Sequence, residues 1–182
     1  MGTDEGDLPQ SRLFGEYILM IFVTVGTHEQ PFDRLIRAVD EWAASSSEDV
    51  LIQTGVSSYE PLNCRWQHFF KQQEMYDFIN QARIVITHGG PSCYFDVLKR
   101  GKIPIVVPRH HEFGEHVDDH QLEISREYKK LYNNIILVED IANLGDCLEH
   151  YDKLASELDN KFTSHSAEFC EAFVKIVDDL FS

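Results

Sequence analysis

The sequence predicts an α/β fold, a doubly wound parallel sheet, and three observations carry that prediction. Short apolar runs recur four or five times and alternate with stretches whose apolar residues fall at helical spacing. The runs, such as Tyr17–Val25 and Ile84–Thr87, are too continuously hydrophobic for strands with one wet face, so they read as strands buried on both sides. Three polar loops, 26–31, 88–93 and 108–121, each follow such a run, and in a doubly wound sheet they share the carboxyl edge where ligands bind. The topology expected from this alternation is Rossmann-like, with right-handed crossovers.

Taken in order, residues 1–16 are polar and aperiodic and are expected to be a disordered leader outside the fold, with Met20, directly before the first strand, reading as an alternative start. Strand Tyr17–Val25 ends at Gly26, and Phe32, Leu35, Ile36, Val39 and Trp42 then mark a helix. A second strand covers Val50–Gln53, a loop Ser57–Asn63, and a short strand Arg65–Phe70. Met75, Phe78 and Ile79 place a helix over Glu74–Ala82. Ile84–Thr87 runs into His88-Gly89-Gly90-Pro91, after which Tyr94, Phe95, Val97 and Leu98 take up helical spacing. A strand at Ile103–Val107, a helix from about Val117 to Leu131 and a strand at Ile135–Val138 complete the expected domain, 17–150. Residues 151–182 read as an acidic amphipathic helical tail, with Leu154, Leu158, Phe162, Phe169, Phe173, Ile176 and Leu180 near one stripe that packs on the domain, on a partner, or on both.

Composition narrows the function. The 182 residues suffice for one domain with a real core. The net charge of −15 argues against binding nucleic acid or an anionic membrane directly. Cys64, Cys93, Cys147 and Cys170 are far apart, which fits reduced thiols in the cytoplasm. No apolar run is long enough to cross a membrane.

At Arg83–Asp96 the order strand, glycine turn, helix start lets a backbone approach a ligand closely and aims the first N–H groups of a helix at it, which favours a phosphate. An ordinary βα turn, whose glycines solve a steric problem only, is the competing reading. In loop 109–120, His116 and His120 have the i,i+4 spacing that would set two metal ligands on one helical face, but no HExxH motif accompanies them and Gly114 interrupts the helix. No metal and no other cofactor is expected; a polar loop closing over a ligand is preferred to a metal-dependent hydrolase. Arg109 either neutralises a phosphate or pairs with one of the nearby acids.

The strand-His88-Gly89-Gly90-Pro91-Ser92 motif, Asp96 eight residues after the histidine, Gly101-Lys102 before a valine-rich strand ending at Pro108, and the His120-Gln121-Leu122-Glu123 helix together resemble the C-terminal, donor-binding half of family 28 glycosyltransferases. The likeness spans about Met20–Asp140. It is closest to free-standing versions of that half: the catalytic subunit of the eukaryotic dolichyl-diphosphate GlcNAc transferase and its bacterial counterparts in capsule and exopolysaccharide synthesis. The run Val23-Thr24-Val25-Gly26-Thr27-His28-Glu29-Gln30-Pro31-Phe32 is similar to the bacterial branch.

The resemblance implies the C-terminal half of a GT-B glycosyltransferase that binds a UDP-sugar and passes its hexose, with inversion, to a polyprenyl-diphosphate-linked sugar. Gly26, Thr27, His88, Gly89, Gly90, Ser92, Cys93 and Arg109 would hold the diphosphate. Asp96 would hold the ribose, at a position where relatives carry a glutamate. His116, His120 and Gln121 would contact the donor sugar. His28 and Glu29 are the candidates for the base that an inverting transfer requires. For His88 a structural turn-holding role competes, and for Asp96 and His120-Gln121 simple exposure on a helix. The implied partner is a membrane-anchored subunit that supplies the acceptor site, which would hold this chain at the cytoplasmic face of the membrane. A non-catalytic nucleotide- or partner-binding subunit is the alternative, and a single-chain epimerase would need a second domain.

Overall fold

The computed structural model describes residues 20–159, and these form a six-stranded, wholly parallel sheet flanked by helices on both faces. Its elements are β1 (Met20–Thr24), α1 (Asp33–Ala43), β2 (Asp49–Gln53), β3 (Arg65–Gln67), α2 (Gln72–Gln81), β4 (Ile84–His88), α3 (Pro91–Leu98), β5 (Ile105–Val107), α4 (His120–Tyr132), β6 (Ile136–Leu137), α5 (Leu144–Glu149) and α6 (Tyr151–Ser156). The strand order is β3-β2-β1-β4-β5-β6. The chain winds outward from β1 in one direction and from β4 in the other, so the topological switch point, where such sheets bind ligands at the carboxyl edge, lies between β1 and β4.

The uniform hydrophobicity of the central strands follows from this layering. Alternate residues face opposite ways. Ile21, Val23, Ile52, Ile84, Ile86, Ile105 and Val107 point into a core with Leu35, Ile36 and Val39 of α1 and with Leu144, Leu148 and Tyr151. Phe22, Leu51 and Val85 point the other way, against Ile79 of α2 and Val97 of α3. Burying a side chain of this size contributes roughly 1.5–3 kcal/mol, so losing either layer of helices would unmake the sheet.

Several expected boundaries move. The first strand is seen from Met20; Tyr17–Leu19 and the expected leader lie outside the described residues. The edge strand stops at Gln67, because Phe70 turns in to pack on Phe22 and Phe78. The last long helix begins at His120 rather than about Val117: Gly114 takes a left-handed conformation (φ 68°), and Asp118 accepts the His120 N–H at 3.2 Å, which makes residues 116–119 a turn. The C-terminal helical pattern is broken at His150 between α5 and α6. Tyr151 of α6 is buried and donates its hydroxyl to the Ile103 carbonyl at 2.7 Å, and Leu154 and Leu158 pack on the core, so the first part of the stripe folds onto the sheet domain. The stripe from Phe162 onward lies outside the described residues.

Candidate nucleotide-sugar site

The loops after β1, β4 and β5 meet at the carboxyl edge, as the topology requires, and His88 is the centre of their contact. It is the last residue of β4, 9% exposed. A Cβ on Gly90 would stand 2.2 Å from its ring, and one on Gly26, which has φ +76°, would stand 2.4 Å from its Nε2. The imidazole therefore occupies the space that side chains on both glycines would fill, and only glycine fits either position. The Gly90 N–H donates to His88 Nδ1 at 2.9 Å, which leaves the neutral ring's proton on Nε2, 3.2 Å from Cys93 Sγ. Burial, with the positive charge of Arg109 beside it, pushes the His88 pKa down to about 4. His88 is thus neutral at physiological pH and can offer a ligand a hydrogen bond but not a charge.

The turn is joined to the third loop by Gln121, whose Cβ sits where a Gly89 side chain would come within 3.0 Å. Gln121 is buried in the first turn of α4, and its side-chain oxygen accepts the Arg109 N–H at 3.5 Å. The α3 N-terminus follows directly, with Pro91 as its first residue. Two backbone donors expected at the diphosphate already have partners: the Gly90 N–H in His88 and the Cys93 N–H in the Gly90 carbonyl at 3.0 Å. An arriving phosphate would meet the remainder of this turn and the positive end of the helix dipole. Burial raises the Cys93 thiol pKa, which keeps it protonated, and Ser92 is exposed.

Arg109, expected either to neutralise a phosphate or to pair with a nearby acid, is engaged by backbone carbonyls. It is 1% exposed, and its guanidinium donates to the carbonyls of Val25 (2.9 Å), Gln30 (2.9 Å), Pro31 (3.1 Å) and Glu115 (3.1 Å). It also stands over the Phe32 ring at 4.7 Å. One buried side chain therefore ties the first loop to the third. Its charge is still felt, since it lowers the pKa of both His28 and His88, and the same field favours an anion. A bidentate ion pair from Arg34 to Glu115 (2.9 and 2.9 Å) braces the third loop from α1, and Arg34 also donates to the Pro108 carbonyl at 3.0 Å.

His28 stacks on His116 with ring centroids 4.6 Å apart, and His116 lies 4.8 Å from His120. Burial foremost, then the neighbouring His116 and Arg109, lowers the His28 pKa, which suits it to act as a neutral base. Thr27 and Glu29 are exposed beside it. Asp96 is not part of this cluster of contacts; it faces partly outward on α3 and pairs with Lys99 at 3.7 Å.

Sequence reasoning passed over Arg34, Gln53 and Asp118. Gln53 is buried at the end of β2 and holds the Gly26 carbonyl at 3.0 Å; a polar residue closing an apolar run was its only signal.

Residues 20–180 match the glycosyltransferase family 28 C-terminal domain. The chain belongs to this family. Two solved structures share the fold of this family 28 domain: the glycotransferase of kitacinnamycin (TM-score 0.54, 19% identity, covering 86% of this chain and 39% of that one) and the calicheamicin glycosyltransferase CalG4 (TM-score 0.56, 13% identity, 87% and 44%). The family 28 domain thus spans less than half the length of either, and its sheet is the Rossmann-like half of a GT-B fold. Comparison with curated protein sequences gives no significant match. No helix among the described residues is long and apolar enough to cross a membrane.

Proposed function

We propose that this chain is the donor-binding, catalytic subunit of a two-component inverting glycosyltransferase that moves a hexose from a UDP-sugar to a polyprenyl-diphosphate-linked saccharide. The observation that carries the reading is the meeting of three loops around His88 at the switch point of a family 28 domain, with Gly26 and Gly90 cut back to fit it. In this reading the turn at Gly89–Cys93 takes the diphosphate, supported by the α3 dipole and the field of Arg109. Asp96 takes the ribose, and His116, His120 and Gln121 the sugar. Thr27 and Ser92, both exposed, flank the phosphates. His28, with its lowered pKa, removes the acceptor hydroxyl proton, and Glu29 beside it is the second candidate.

The solved structures that share the fold are about twice as long as this chain, and in this reading the described residues supply only the donor side of the site. A separate, membrane-anchored subunit is the source we assign for the acceptor wall; it would bring this chain to the cytoplasmic membrane face. In a transfer assay with labelled UDP-sugar and polyprenyl-diphosphate saccharide in membranes carrying the partner, His28→Ala is expected to reduce the rate by about 100-fold or more while donor binding persists. Full transfer by both His28→Ala and Glu29→Ala chains would favour a non-catalytic binding subunit.

A further inference from the structure

From the convergence of His116, Asp118 and His120 we infer a binding site for a divalent transition-metal ion at the entrance to α4. Their ligand atoms all lie within 4.8 Å of one another. Asp118 Oδ1 is 3.0 Å from His116 Nδ1 and also contacts His120 Nδ1. A tetrahedral ion with bonds of about 2.0–2.1 Å needs ligand atoms about 3.3 Å apart, so small side-chain rotations complete the set. His120 and Asp118 are exposed enough to make them, while His116 is buried and fixed, stacked on His28. The i,i+4 spacing points to the two histidines, but the arrangement arises from the turn at 116–119 and not from a helical face, and that turn brings in Asp118 as the third ligand.

The donor set has a chemical preference. Two imidazole nitrogens select zinc-like ions over magnesium or calcium, which prefer oxygen. Two imidazoles and one carboxylate would set a single negative charge against the dication. Three protein ligands leave a fourth position open, as in zinc sites that accept water or a substrate oxygen. Binding would pin loop 109–119 to the first turn of α4, next to Gln121. The inference concerns the ion alone and stands whether or not the chain binds a nucleotide sugar.

Isothermal titration of the chelator-treated full chain with Zn²⁺, in the absence of nucleotide, tests it. One saturating equivalent is expected, unaffected by excess Mg²⁺, and both Asp118→Asn and His120→Ala should weaken it by about 10-fold or more. Both positions are exposed, so unfolding curves of the two variants without metal should match the parent. Absence of a saturable equivalent, or an affinity that survives both substitutions, overturns the site. UDP titrations in chelator report separately on the nucleotide site.

Discussion

His88 concentrates the argument at the scale of the residue, because it is both the plug of the turn and the group whose charge burial forbids. In the folded chain it titrates at about 4, against about 6.5 in an unfolded one. The unfolded chain takes up the extra proton between those values, so the contribution is fully present above pH 6.5 and is lost as pH falls towards 4, on the order of 3 kcal/mol in all. Urea unfolding across this window should show stability falling with acid, and a His88→Gln chain should show a shallower slope; equal slopes would contradict the buried, neutral ring. Gly90→Ala puts a methyl 2.2 Å from the same ring, which the Gly26 side prevents from moving away. A loss of about 1–3 kcal/mol is expected in denaturant unfolding, and no loss would mean the ring has another place to go.

Elements are held by a few polar clamps whose roles were not visible as motifs. Gly101-Lys102 is legible in the sequence as part of a family pattern, yet the work of Lys102 appears only in three dimensions. Its ammonium donates to the carbonyls of Ile79, Asn80 and Ala82 at 2.5–2.7 Å and so caps the C-terminal end of α2. Lys102→Met should cost about 1–3 kcal/mol in unfolding while leaving UDP binding unchanged, since this end of the sheet is opposite the ligand edge. A variant that lost UDP binding without losing stability would contradict that division. Arg109 teaches the same lesson: a basic residue after a strand reads as a phosphate ligand or the partner of a nearby acid, but three carbonyls of the distant first loop and one of its own loop take its guanidinium, and no spacing rule anticipates that. Strand and helix identities were legible because burial on two faces leaves continuous apolar runs. Boundaries set by one side chain, such as Asp118 at the start of α4, were not.

Across the whole molecule, the strand order puts the loops after β1 and β4 on either side of the switch point, and the loop after β5 closes against them through Arg109 and Gln121. The shared edge could be read from the sequence because connection rules for parallel sheets fix which loops lie together. The contact of His28 with His116 and the separation of Asp96 from the cluster depend on side-chain packing that those rules do not address. On the proposed function, this edge holds a nucleotide sugar. A ligand that binds the native state must stabilise it, by about 2.7 kcal/mol at a hundred times its dissociation constant. Thermal unfolding of the full chain in chelator should therefore shift upward with UDP and with at least one of UDP-galactose, UDP-glucose and UDP-GlcNAc. No shift with any of the four at millimolar concentration would contradict the account.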